Sequence, residues 1–171
     1  MGAVARTLTE SEMVERVTGR FPEVSGQVLP SGWVRLDVPR ERLGEVARFL
    51  RDDPELRLDY LTNLTAVDRG DSGFEVVMHL ESLGSGHQVA VYTRCPREDA
   101  VVPSVTPVWP SANWQEREAW DLMGVRFEGH PDLRRILLKS DWVGHPLRKD
   151  YVDRRLPRQR QTRATYRPDA P

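Results

Sequence analysis

The chain has 171 residues, a formal net charge of −1 and an apolar fraction of 39%, which its 12 glycines raise to about 46%. These values suit one globular domain with a core of its own and exclude a chain disordered throughout. No charge-free apolar stretch approaches the roughly 20 residues of a membrane helix, a lone Cys95 allows neither an internal disulfide nor a thiolate cage, and the N-terminus lacks the apolar run of a secretory signal, which points to a reducing cytoplasm.

Thr9 and Glu12 stand in capping-box spacing, with Leu8 and Met13 placed as a hydrophobic staple, and Met13, Val14 and Val17 share a face ahead of Gly19. A short helix is predicted there. Gln27–Leu29 and Trp33–Val38 flank Pro30, Ser31 and Gly32, and Val34, Leu36 and Val38 alternate with Arg35 and Asp37, the pattern of a hairpin. Leu43, Val46, Ala47 and Leu50 then fall at helical spacing between Pro39 and Pro54. A poorly alternating strand follows over Leu58–Val67. Phe74, Val76, Met78 and Leu80 form a clear one, and the turn Gly84-Ser85-Gly86 leads into Val89, Val91 and Thr93. After a proline-rich loop from Pro96 to Pro110, a helix runs from Ser111 or Asn113 to Met123, and only Leu133–Leu138 looks regular beyond it. The predicted fold is α+β, a two-layer domain of order α-β-β-α-β-β-β-α over residues 1–125, its helices on one face of a mainly antiparallel or mixed sheet. An extended Pro/Arg-rich arm covers residues 126–171.

Charge is unevenly spread: residues 148–171 carry +5 and residues 1–147 carry −6, and nine of the 13 prolines lie from Pro96 onward. A basic arm on an acidic body, with little core of its own, predicts order gained from a partner surface.

The segment with the most information is the last helix. Arg117 and Asp121 are four apart and share a face, so by spacing alone the plain reading is a solvated face with an intrahelical ion pair. Glu116 and Glu118, two apart, diverge on a helix and give little support to acid–base catalysis. His79 and Glu81 share a strand face, but two ligands do not make a metal site. The tripeptides Gly129-His130-Pro131 and Gly144-His145-Pro146 read as rigid corners, each glycine free to take positive φ and each proline extending its histidine; a proton relay is the less simple alternative.

Glu116-Arg117-Glu118, Asp121-Leu122-Met123, His130, Arg134 and Ile136 fall in a fixed spacing whose chance match at one starting position is on the order of one in a hundred million under average residue usage. The pattern resembles the signature of the C subunit of NADH-quinone oxidoreductase, the 30 kDa subunit family of respiratory complex I. It continues through Gly129–Leu138 and Asp141–Tyr151 and covers about Trp109–Tyr151, while Trp120, Met123 and Val152 depart from the family's usual residues at packing positions. The resemblance implies a peripheral-arm subunit on the cytoplasmic side of the cell membrane. It would be associated peripherally, bind no cofactor itself and have no independent activity, with FMN and the iron–sulfur clusters in other subunits. One cysteine cannot hold a cluster, which needs about four protein ligands, and no Gly-rich strand-to-helix turn suits NADH or flavin.

The partners implied are the D and B subunits of complex I beside the quinone chamber, with the I subunit a further candidate. Because the chain ends at Pro171, the D subunit is expected as a separate polypeptide. The residues assigned to docking are Glu116, Arg117, Glu118, Asp121, His130, Arg134, Arg135, Trp142, His145, Leu147, Arg148, Lys149 and Tyr151. Trp142, Leu147 and Tyr151 would be apolar anchors, and Arg134, Arg135, Arg148 and Lys149 would meet carboxylates of the neighbour. An equivalent subunit of a membrane-bound hydrogenase or other-donor dehydrogenase is the alternative. A nucleic-acid module using the basic tail is more remote, because the acidic body repels phosphate and the tail after Tyr151 offers one aromatic, Tyr166. A free-standing hydrolase using Glu116, Glu118 and His130 lacks a nucleophile.

Overall fold

The computed structural model describes residues 7–153. Arg154, Arg155, Arg158, Arg160, Arg163, Tyr166 and Arg167 of the predicted basic arm lie outside the described residues.

Helix α1 (Glu10–Arg20) starts on the predicted capping box: Glu12 N–H donates to Thr9 Oγ1 at 3.3 Å and Thr9 N–H donates to Glu12 Oε2 at 2.8 Å. Gly19 does not stop it. The helix closes at Phe21, whose N–H reaches Val17 O and whose ring packs edge-on against Phe49. Strands β1 (Ser25–Val28) and β2 (Val34–Asp37) form the predicted hairpin, and one 3-10 turn at Arg40–Arg42 leads into α2 (Leu43–Asp52), which buries Leu43, Val46, Ala47 and Leu50. Strands β3 (Tyr60–Asp68), β4 (Phe74–Glu81) and β5 (Gln88–Cys95) form an antiparallel meander. A bulge between Leu61 and Asn63 shifts the register of β3 and explains the weak alternation in its sequence. β5 then pairs in parallel with β2, giving a five-stranded mixed sheet of order β1-β2-β5-β4-β3.

One face of this sheet, with Val34, Leu36, Phe74, Val76, Met78, Leu80, Val89 and Val91, is buried under the helices and forms the core. On the opposite face polar groups pair along and between strands: Arg35 bonds Asp37 on β2 and stacks over Tyr92 of β5, and the buried Glu75 takes Arg69 and Arg94.

Two elements absent from the predicted order lie beyond the sheet. β6 (Val101–Pro103) and β7 (Arg126–Glu128) pair in parallel and bracket α3 (Ala112–Met123). α3 covers the free edge of β3, where Gln115 Oε1 accepts from Leu64 N–H and Ser111 Oγ donates to Leu61 O. Leu133–Leu138 is not regular structure; it is a series of bends whose main chain is held by α3.

Candidate partner-docking site

α3 buries three charged side chains on its inner face: Glu116 and Asp121 at 0% exposure and Arg117 at 7%. The solvated face and intrahelical ion pair predicted for this helix are therefore not what forms. A charge in this setting must find partners that replace water; Glu116 finds them at 104–106, and Arg117 and Asp121 find them at 134–138.

Glu116 holds the loop after β6. It accepts from Val105 N–H and Ser104 Oγ at 2.7 Å each and from Thr106 Oγ1 at 3.2 Å, and burial still pushes its carboxyl pKa up. Arg117 donates to the carbonyls of Arg134 (3.1 Å) and Arg135 (3.2 Å) with its guanidinium 5.0 Å from the Trp114 ring centre. Asp121 is the centre of the site. Its Oδ2 accepts the main-chain N–H groups of Ile136, Leu137 and Leu138 at 3.1, 2.8 and 2.9 Å, and its Oδ1 accepts Arg135 at 2.6 Å. Burial alone would raise its pKa, but these amides and the Arg135 guanidinium hold it below the usual carboxylate range.

The arm then turns back to cap the helix it left. The last carbonyls of a helix have no partner within it; here Asp121 O accepts Arg135 and His145 Nδ1–H (2.9 Å), and Leu122 O accepts Leu147 N–H at 3.0 Å. Cationic and N–H donors at this end also suit the helix dipole. Gly124 makes the return possible, since it sits at φ +75 and a Cβ there would lie 2.6 Å from His145 Cδ2. Gly129 and Gly144 both adopt φ +82, as their corners require. His130 bonds the main chain through both ring nitrogens, Nε2 to Asn113 O at 3.2 Å and Nδ1 to Asp132 N–H at 3.0 Å.

A second carboxylate fastens the far end. Asp68, at the end of β3, accepts Lys149 N–H and Gly70 N–H at 2.8 Å each and pairs with Arg97. Burial would raise its pKa, and these donors lower it on balance. Arg97 also bonds Asp150 (2.8 Å), which takes Arg148 (3.0 Å), and both guanidiniums lie 4.9 Å from the Phe74 ring centre. Sequence reasoning missed Asp68, Arg97 and Asp150. Asp68 precedes Arg69-Gly70 and carries only the signal of a turn.

Of the residues assigned to docking, Glu116, Arg117, Asp121, Arg135 and Arg148 thus turn inward on this chain, and His130 and His145 bond its backbone. Glu118, Arg134, Leu147 and Lys149 are exposed, and Trp142 and Tyr151 are half-buried. The arm from 126 to 153 finds its order within the chain, contrary to the expectation that it had no surface of its own to settle on. Four of its apolar side chains face solvent, Leu137, Val143, Leu147 and Val152 at 61%, 86%, 59% and 71% exposure, whereas Phe127 joins the core and Leu133 packs against it. His79 packs edge-on against Trp33, and among the described residues no group of three His, Cys, Asp or Glu is placed to hold a metal.

Residues 36–155 match the family model described as respiratory-chain NADH dehydrogenase, 30 Kd subunit. The chain belongs to this 30 kDa subunit family. The NADH-quinone oxidoreductase C subunit of Roseiflexus sp. (strain RS-1) is 43% identical over 146 residues, covering 84% of each chain. The NADH-quinone oxidoreductase C/D subunit of Phocaeicola vulgatus is 45% identical over 118 residues, which span 68% of this chain and 22% of that protein. Among solved structures, a chain in the membrane-bound sulfane sulfur reductase, an archaeal respiratory membrane complex, superposes with a TM-score of 0.67 at 27% identity, covering 83% of this chain and 85% of that one. The similarity to the complex I C subunit seen in Trp109–Tyr151 is therefore borne out over most of the chain, as is the two-layer α+β fold. This 30 kDa family member is a subunit of an enzyme complex of NAD- and quinone-linked electron transport. No described helix is long and apolar enough to cross a membrane.

Proposed function

We propose that the chain is a cofactor-free structural subunit of the peripheral arm of proton-translocating NADH-quinone oxidoreductase. It docks to the D and B subunits, with the I subunit a further neighbour, on the cytoplasmic side of the membrane. The observation that carries this reading is the division within the arm: main chain pinned inward by buried charges, with Leu137, Val143, Leu147 and Val152 left facing outward. Large apolar side chains left in water are candidates for a partner surface, and Trp114, on α3, and Leu137, Val143 and Leu147, on the segment α3 holds, are all exposed. A relative whose name joins C and D supports the D subunit as the neighbour, since the matching segment there is part of one longer polypeptide. Redox centres are assigned to other subunits because the single Cys95 is buried, its thiol pKa raised by desolvation, whereas a cluster needs about four thiolates.

The likeness to an archaeal respiratory complex favours one second reading, the same structural role in a membrane complex fed by another electron donor. The test is affinity purification of the tagged full chain from gently solubilised membranes. The D and B subunits should be recovered with it in equal amount, together with NADH-to-quinone activity, while the chain alone oxidises nothing. Recovery as a solitary chain, or NADH oxidation by the purified polypeptide, overturns the proposal. Recovery of D and B homologues without NADH activity selects the second reading.

A further inference from the structure

Arg134 and Arg135 are neighbours with opposite fates. Arg134 is exposed, and among the described residues its side chain bonds only Asp132, two residues away, at 2.9 Å. Arg135 reaches four acceptors: Asp121 Oδ1 and O at 2.6 and 3.2 Å through one terminal nitrogen, and the carbonyls of Trp142 and Gly144 at 3.0 and 3.1 Å through the other. Its planar fork also lies 5.7 Å from the Trp120 ring centre. One side chain thus joins the C-terminal end of α3 to the bend at 142–144, which presents Val143 and leads to Leu147.

Asp121 does not need Arg135 to hold the first part of the arm, because three main-chain N–H groups already converge on it. The second part has no such nest. Between Leu138 and Lys149 its hydrogen bonds to α3 include those of Arg135, His145 Nδ1–H and Leu147 N–H, the latter two following the bend that Arg135 joins to the helix, and Arg148 lies over the Phe74 ring further on. A lysine ammonium, a compact point charge, cannot span both sets of carbonyls as a planar guanidinium does.

We infer that Arg135 is a positioning residue for assembly: it touches no partner, and by bridging α3 to residues 142–144 it fixes the outward presentation of Val143 and Leu147. This rests on the docking reading above, deepens it, and separates Arg135 from Arg134. The bend is a finished shape before a partner arrives, so it suits a partner surface with a preformed recess for two apolar side chains, and association carries little ordering cost.

The experiment compares Arg135→Gln, Arg135→Lys and Arg134→Gln in the full chain, reading backbone hydrogen exchange in the purified chain and recovery of the D and B subunits from membranes. Arg135→Gln should speed exchange at Leu147 N–H by about 10- to 100-fold and lower partner recovery at least about fivefold. Exchange at Ile136, Leu137 and Leu138, held by Asp121, should change by less than about tenfold. Arg135→Lys should recover part of both effects, and Arg134→Gln should show neither. Unchanged exchange at Leu147 in Arg135→Gln overturns the positioning role whatever happens to assembly. Faster exchange with undiminished recovery also overturns it, by showing that the bend is not what the partner reads. Failure of the wild-type chain to bring down any partner overturns the docking reading itself.

Discussion

Replacing Asp121 by alanine should free the arm and leave the sheet intact. The carboxylate accepts four hydrogen bonds, three from main-chain N–H groups and one from Arg135. Hydrogen bonds to a charged group contribute roughly 1.5–3 kcal/mol each, and removing one partner of a buried ion pair costs roughly 3–5 kcal/mol. These figures do not add, because the four donors act as one unit. Once residues 135–147 lift off, their amides and Arg135 regain water, so the cost is bounded by detachment of that segment, the far end staying on Asp68. That bound is about 3–5 kcal/mol, set by the ion-pair figure. At 1.4 kcal/mol per tenfold, amides 136–138 should exchange about 10² to 4 × 10³ times faster in Asp121→Ala. Amides of β4 and β5, which open only with the whole core, should change by less than about tenfold. Asp121→Asn keeps one acceptor oxygen and should show an intermediate effect. Native-state hydrogen exchange read by mass spectrometry decides it: unchanged rates at 136–138 in both variants, or equal acceleration across the sheet, refutes the reasoning.

The two buried carboxylates of α3 should respond to pH in opposite senses. Asp121 has its folded pKa lowered, so its contribution is complete above about pH 4, the unfolded value, and disappears as pH falls through the lower folded one. Glu116 has its folded pKa raised, so stability linked to it is complete below about pH 4 and is lost as pH rises through the folded value. Glu116→Gln should therefore be within about 1 kcal/mol of wild type at pH 5 and gain on it at pH 8 in urea melts; a loss that grows with pH contradicts this. Gly124→Ala places a side chain at φ +75 against His145 and should cost about 2 kcal/mol, seen as a Tm lower by about 4–8 °C. Leu147→Asp, at an exposed position, should leave the melt of the isolated chain within about 0.5 kcal/mol of wild type while lowering recovery of the complex at least tenfold.

Local chemistry made much of the body readable. The Thr9–Glu12 box, the Leu43–Leu50 spacing and the Phe74–Leu80 alternation each correspond to an element found where expected, because each depends on neighbours in sequence. Non-local pairing was not readable. Alternation within β2 and β5 does not specify that they join in parallel, and the joining of β6 to β7 across α3 depends on three-residue stretches that carry no periodic signal. Leu133–Leu138 looks regular in sequence, but the amides of Ile136, Leu137 and Leu138 are taken by one carboxylate. In the site, Glu116, Arg117 and Asp121 were legible as a pattern and misleading as a surface. Spacing shows which residues share a helix face; it does not show whether that face meets water or a strap of the same chain.

The strap's course is set largely by peptide groups: amides of 136–138, 147 and 149, and carbonyls of 134, 135, 142 and 144. Every residue type except proline supplies the amides, and every type supplies the carbonyls. The exposed side chains along that route can consequently be exchanged one at a time for others that match a drifting neighbour, with no penalty to the path itself. Recognition and folding are written here in different atoms, which lets a subunit retune one without reopening the other.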